Sequence, residues 1–209
     1  MGDDYREEFK TAFNVSRETL GRLGQYAALL EKWNPAINLV SKTTIKTLWQ
    51  RHFHDSAQIF QFHPESVCHW VDLGSGGGFP ALVLAVFAKE YSPNDRFKLV
   101  ESDVRKAAFL QTVIREVGLN AAVIAERIEK TPPLEADILT ARALSSLDKL
   151  LEYASHHLKP DGIAIFPKGE KYKKEIDDAF ALWNFDVEEF TSKTNPNGAI
   201  LKIGGISRV

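Results

Sequence analysis

Ten consecutive residues, Val71-Asp72-Leu73-Gly74-Ser75-Gly76-Gly77-Gly78-Phe79-Pro80, restrict what this chain can become. A β-type run, Val67–Leu73, leads into them, and a helical pattern, Pro80–Ala88, leads out, with Pro80 suited to a first helical position. Glycines at such a junction let the backbone bend sharply and approach a ligand more closely than any side chain permits. A dinucleotide fingerprint G-x-G-x-x-G begun at Gly74 needs glycine at position 79, where Phe79 stands. The third glycine is instead Gly78, and Asp72 precedes the loop. That version suits a single-nucleoside ligand such as S-adenosylmethionine better than a pyrophosphate; a glycine-rich turn without a ligand is the alternative. Glu101 closes the next β-type run, Phe97–Glu101, where an acidic side chain accepts hydrogen bonds from adenosine ribose hydroxyls and repels a 2′-phosphate. An exposed strand-end carboxylate is the alternative there.

The rest of the chain supplies the frame. Residues 1–62 read as a helical extension: Leu20, Leu23, Ala27, Leu30 and Trp33 recur on one helical face behind Ser16, a suitable N-cap, and Pro35 predicts a break between helices. A second apolar stripe, from Ile45 through Trp49 and Phe53 to Phe62, ends at Pro64. Residues 63–209 alternate strand and helix patterns: helices over Val104–Val117 and Ser145–His157, strands over Ala122–Ile124, Ala136–Thr140 and Gly162–Pro167. Two closing strands, Phe185–Phe190 and Ala199–Ile203, flank the turn cluster Asn195-Pro196-Asn197-Gly198 with no helix between them. The expected fold is α/β: a Rossmann-like class I methyltransferase sheet, mostly parallel with an antiparallel last strand, carrying an N-terminal helical extension.

Composition narrows the function classes. With 26 basic and 28 acidic residues, a formal charge of -2, the chain is no bulk polycation, so any nucleic-acid contact must come from local patches. One cysteine, Cys68, excludes a disulfide framework and a cysteine-rich zinc site and fits a reducing, cytoplasmic setting. The longest apolar run, Ala81–Ala88, falls far short of the roughly 20 residues that span a bilayer, and the polar, acidic N-terminus does not look like a signal peptide.

Across nearly its whole length the chain resembles the bacterial 16S rRNA guanine-N(7) methyltransferase family RsmG, also called glucose-inhibited division protein B. The resemblance is carried by Trp33-Asn34 with Ile37-Asn38-Leu39, Arg51-His52-Phe53-His54-Asp55-Ser56, the Asp72–Pro80 loop, Val100-Glu101-Ser102 with Lys106 and Phe109-Leu110, Arg127-Ile128-Glu129, Thr140-Ala141-Arg142-Ala143 and Lys168-Gly169. Ala81 where many members have glycine, Ile128 in place of a small residue, and the absence of an arginine before Ile200 depart from the pattern. The resemblance implies S-adenosylmethionine as cofactor, with Gly74, Gly76 and Phe79 in its loop, Glu101 and Ser102 at the ribose, Ile128 and Glu129 near the adenine and Arg142 beside the reacting end. It also implies methylation at N(7) of guanine 527, in the 530 loop of 16S rRNA, free or within the small ribosomal subunit; a monomer is expected.

The chemistry asked of such residues is modest. Guanine N(7) has a free lone pair and loses no proton on methylation, so no general base is needed. The place after the fourth strand, where methyltransferases of exocyclic amines carry Asn/Asp-Pro-Pro-aromatic, reads Thr140-Ala141-Arg142-Ala143. Arg142 could hold the cofactor carboxylate or the guanine carbonyl, or form a structural ion pair. Arg51, His52 and Lys168 are the candidates for RNA contact, and Lys171–Lys174 reads as a solvated helix start. The histidines show no metal-ligand spacing, so no metal is expected. A small-molecule methyltransferase is the main alternative and would need a closed apolar pocket without a basic rim. A nicotinamide oxidoreductase and an inactive cofactor-binding regulator are the others.

Overall fold

Seven strands form one mixed sheet in the computed structural model, which describes residues 2–209, with side chains from Tyr5 onward. The chain opens with α1 (Gly2–Phe13) and α2 (Arg17–Ile37), then passes through short helical segments from Ile45 to Phe62, among them α3 (Asp55–Ala57). Strands and helices follow: β1 (His69–Leu73), α4 (Ala81–Tyr91), β2 (Arg96–Val100), α5 (Val104–Val117), β3 (Ala121–Ile124), β4 (Ala136–Thr140), α6 (Leu147–His157), β5 (Leu158–Lys168), α7 (Tyr172–Phe180), β6 (Trp183–Thr191) and β7 (Ala199–Arg208). The sheet order is β3-β2-β1-β4-β5-β7-β6. β1 to β5 pair in parallel, and β7 runs antiparallel to both its neighbours, as the strand–helix rhythm and its hairpin ending predict.

Local chemistry explains most element limits. The Ser16 side chain accepts from the Thr19 N–H at 3.1 Å and starts α2, whose Leu23, Ala27 and Leu30 are buried. Pro35 does not break that helix, contrary to the sequence expectation. It sits in the last turn, where its missing N–H forfeits one bond only, and α2 runs on to Ile37. The chain turns at Asn38 instead, in the left-handed region, while the Asn34 side chain accepts from the Val40 N–H at 2.9 Å. Pro80 caps α4 rather than opening it. The last strands run past their expected limits because the ladder continues beyond the apolar stretches: buried Trp183 pairs with exposed Arg208, whose guanidinium lies 4.4 Å from the indole centroid.

Two apolar clusters sandwich the sheet. One joins Val71, Leu139 and Phe166 to α6, α7 and the terminal hairpin. The other joins α4 and α5, through Leu82, Val86, Phe109 and Leu110, to Phe9, Leu23, Tyr26, Leu30, Trp49 and Phe53 of the extension. The extension therefore shares a core with the sheet, and that shared burial fixes where its polar residues stand. Among the described residues, no helix is long and apolar enough to cross a membrane.

His157, at the end of α6, is fully buried, and among the described residues neither ring nitrogen has a side-chain or backbone partner within hydrogen-bond geometry. Burial, and then the neighbouring His156, push its pKa down to about 4 from the ordinary 6.5. The unfolded chain thus takes up this proton more readily than the folded one, so the contribution to stability is complete above pH 6.5 and lost as pH falls toward 4. Between pH 7 and 4.5 wild type should lose roughly 2–3 kcal/mol more stability than His157→Leu, read by urea unfolding at both pH values. Parallel losses in the two proteins would contradict this.

Candidate functional site

A cleft of about 520 Å³ opens at the carboxyl ends of the central strands. Its walls come from the turn after β1 (Gly74–Gly77 and Phe79), the ends of β4 (Arg142, Ala143) and β5 (Pro167–Gly169), the extension (Leu39, Val40, Thr44, Arg51, His52, Asp55) and the β6–β7 connection (Ser192, Thr194, Asn195). β1 pairs with both β2 and β4, so the glycine turn stands where connections leave the sheet in opposite directions, the crevice in which open α/β sheets bind ligands.

The Gly74 and Ser75 N–H groups both donate to the Val100 carbonyl, at 2.9 and 3.1 Å, which folds the turn over the end of β2. The Glu101 carboxylate accepts from the Gly76 N–H and the Asp103 N–H, each at 2.8 Å. The glycines have separate duties. Gly76 has φ +54, and an added Cβ would meet only the Gly74 carbonyl, at 3.8 Å, so a side chain there would project into open space. At Gly78, with φ +92, a Cβ would lie 2.4 Å from Leu82 and 2.7 Å from the Tyr26 hydroxyl. Gly78 thus admits the extension, whose Tyr26 hydroxyl donates to the Gly77 carbonyl, while the backbone at Gly76 stays open to the cleft.

Beneath the turn lies Asp72, 2 % exposed. The Thr140 hydroxyl donates to its Oδ1 at 2.6 Å, and Oδ2 is buried with no partner among the described residues. Burial raises its pKa to about 6, against the pull of its hydrogen bonds and the Arg142 charge. A buried, unpaired carboxylate oxygen beneath the turn and the Glu101 carboxylate at its side suit a ligand carrying positive charge and hydroxyl donors. A sulfonium nucleoside has both.

Arg142 is held from three sides. Its Nη1 donates to Asp55 Oδ2 at 3.1 Å, its Nη2 to His52 Nδ1 at 2.9 Å, and its guanidinium carbon lies 5.0 Å from the centroid of the Phe79 ring. Burial, then the Arg142 charge, push the His52 pKa down to about 4, so this imidazole is neutral at pH 7. Arginine only donates, which makes Nδ1 the acceptor and leaves Nε2–H to donate to the Thr44 hydroxyl at 2.9 Å. His52 therefore brings an acceptor to the cleft and no charge.

The other residues singled out from sequence are more scattered. Lys168 lines the cleft but forms a 2.6 Å ion pair with Glu175 and donates to the Ser145 carbonyl. Arg51 is exposed at the rim. Glu101 reaches the turn without lining the cleft itself. Ser102 is exposed; Ile128 is buried in the α6-side cluster; Glu129 is exposed and accepts from the Tyr153 hydroxyl at 2.5 Å. These three follow β2 and β3 on the same sheet edge, outside the cleft lining. Lys171 and Tyr172 start α7 at the surface, as the charge run suggests. Sequence reasoning missed Asp55 and Thr194 as site residues. Asp55 lay within a quoted motif, but no local signal tied it to Arg142, 87 positions away.

Comparison with known proteins adds independent support. The family model of GidB, rRNA small subunit methyltransferase G, matches residues 19–199. Ribosomal RNA small subunit methyltransferase G of Ruegeria pomeroyi is 54% identical over 196 residues, covering 94% of this chain and 96% of that protein. Its namesake from Rhodospirillum centenum is 50% identical, covering 96% and 90%. Among solved structures, a SAM dependent methyltransferase from Aquifex aeolicus superposes with TM-score 0.57 at 13% identity, covering 81% of this chain and 99% of that one. A mutant of MtNAS in complex with S-adenosylmethionine superposes with TM-score 0.57 at 16% identity, covering 95% and 82%. The family expected from the sequence motifs is thus the family matched, and the class I methyltransferase fold agrees.

The two glycines should respond differently to alanine. Gly78→Ala is expected to cost about 2–4 kcal/mol in stability, since its methyl overlaps Leu82 and Tyr26. Gly76→Ala should cost about 1 kcal/mol for its left-handed backbone, yet weaken S-adenosylmethionine binding at least about tenfold. Urea unfolding and calorimetry measure both; donor affinity surviving Gly76→Ala intact would remove the cradle.

Proposed function

The chain belongs to the rRNA small subunit methyltransferase G family, S-adenosylmethionine-dependent rRNA guanine-N(7) methyltransferases, and we propose the task of each part of its cleft on that premise. The target is guanine 527 in the 530 loop of 16S rRNA. Core residues 63–209 bind the donor and extension residues 1–62 complete the acceptor side. Bound S-adenosylmethionine supplies the electrophilic methyl group.

The residues that would hold the donor are those of the glycine turn. Gly74 and Gly76 give backbone access, Glu101 accepts from the ribose hydroxyls, and Ser102, Ile128 and Glu129 border the adenosine side. Asp72, buried beneath the turn, favours the cationic end through its charge, and Phe79 and Arg142 stand beside the reacting end. The acceptor nitrogen brings its own lone pair, so the protein must position it rather than deprotonate it. Positioning alone supplies about 7–11 kcal/mol in favourable cases. The cleft is consistent with that: His52 donates through Nε2 only, to Thr44, and Asp55 is occupied by Arg142 and by Thr194, 2.6 Å away.

In A-form RNA, N(7) faces a deep, narrow groove that an active site cannot enter, so the target must be looped or splayed out. An open cleft with Arg51 at its rim and Lys168 within suits such a base and its phosphates, whereas a small-molecule enzyme calls for an enclosed apolar pocket. The observation that carries this assignment is the meeting of the open Gly76 cradle, the Glu101 carboxylate and Arg142 at one sheet edge. We place the enzyme in the cytoplasm, acting as a monomer on 16S rRNA or the assembling small subunit.

Methyl-labelled donor incubated with the protein and small subunits from cells lacking it should put label on one guanine, at N(7). Label confined to small metabolites would overturn the assignment. Glu101→Gln should weaken donor affinity by about 10–100-fold, the worth of hydrogen bonds to a charged acceptor. Unchanged calorimetric affinity would deny Glu101 its ribose role.

A further inference from the structure

We propose that Asp55, on the helical extension, is a positioning residue for methyl transfer: its carboxylate fixes the Arg142 guanidinium beside Phe79 and pins the β6–β7 connection through Thr194. The inference rests on the methyltransferase function assigned above and names a residue of the extension on which that function depends.

One carboxylate holds two walls of the cleft. Asp55 Oδ2 accepts from Arg142 at the end of β4, while Oδ1 accepts from the Thr194 hydroxyl at 2.6 Å and the Gln58 amide at 3.1 Å. Gln58 fastens the same connection a second time, its Oε1 accepting from the Lys193 N–H at 2.8 Å. Arg142 has five N–H groups in a rigid fork, and the bonds to Asp55 and His52 engage two of them. With Phe79 against one face, the three remaining donors have directions set by the extension rather than by β4 alone.

A simple strap between extension and core does not account for this arrangement. Docking is already secured by the apolar cluster of Phe9, Leu23, Tyr26 and Leu30 with the sheet-side helices. The Asp55 and Arg142 side chains are each 18 % exposed, so breaking the pair costs some stability, yet cohesion alone calls for no particular direction at the cleft. What the contact does supply is direction. Neutral His52 adds a second acceptor at a fixed angle, and the Thr194 hydroxyl turns the same carboxylate toward the opposite wall. Because reacting groups must meet within a fraction of an ångström, a guanidinium released from Asp55 would still lie in the cleft but transfer would slow.

The test measures methyl transfer to small subunits lacking the modification, donor affinity by calorimetry and Tm, for wild type, Asp55→Asn, Asp55→Glu, Arg142→Gln and the double variant Asp55→Asn/Arg142→Gln. Asp55→Asn should lower kcat about 10–100-fold while donor affinity stays within about twofold and Tm falls only modestly, the protein remaining folded at the assay temperature. Asp55→Glu, which keeps the charge, should recover part of the loss. The double variant should be no slower than Arg142→Gln, since both substitutions disable one device. A kcat for Asp55→Asn within about twofold of wild type, multiplicative effects in the double variant, or a rate loss matched by a collapse in Tm would each overturn the proposal. Wild type that transfers no methyl to RNA would sink the functional assignment and this inference with it, whereas active wild type with an unaffected Asp55→Asn sinks the inference alone.

Discussion

Two hydrogen bonds to a single carbonyl, that of Val100, hold the glycine turn over the sheet edge, and the rest of the site is built outward from them. They bring Gly76 to Glu101, lay Ser75 over Asp72 and point Phe79 back toward the extension. Tyr26 then stacks on Phe79 with ring centroids 5.4 Å apart and donates to the Gly77 carbonyl, so the turn is gripped from the strand side and from the helical side at once. A side chain at Gly78 would break the second grip and one at Gly76 would fill the cradle. The two constraints explain why glycine recurs through the turn: Gly78 admits the packing of the extension and Gly76 keeps the backbone open to the cleft.

The electrostatics of the cleft follow from the near-neutral chain. With a formal charge of -2 overall, the protein cannot rely on a general positive field, and even its cleft cations are largely spoken for. Lys168 is paired with Glu175 and Arg142 with Asp55. These cations offer directed donors rather than bulk attraction, which fits the recognition of one exposed base more than the gripping of a duplex. The neutral His52 belongs to the same economy, holding Arg142 without adding a competing charge.

Much of the fold is legible in the residue order. The alternation from Val67 to Pro167, the turn cluster before Ala199 and the apolar face of Leu23, Ala27 and Leu30 each announce their element. The turn after β1, the acidic Glu101 at the end of β2 and Arg142 after β4 are legible for the same reason: local spacing carries them. Pro35 misled because the cost of a proline depends on how many turns follow it, and only the tertiary surroundings end α2 at Ile37. The terminal strands ran long because ladder hydrogen bonds join backbone groups whatever the side chains, exposed Asn184 and Ser207 among them, which no hydrophobic pattern marks.

By itself the sequence determined the α/β order, the glycine turn after β1 and the family, since each depends on neighbours in the chain or on motifs spread along it. What only the tertiary structure decided is the company those motifs keep. Asp55 meets Arg142 across 87 positions and Thr194 across 139, because the extension packs on the same sheet face that carries the turn. His52 reads as an RNA-contact candidate in the sequence and stands in the structure as a neutral acceptor for Arg142, since burial and the neighbouring guanidinium disfavour its protonated form. Contacts of that range are set by the burial of apolar surface, which fixes polar partners that no local pattern connects.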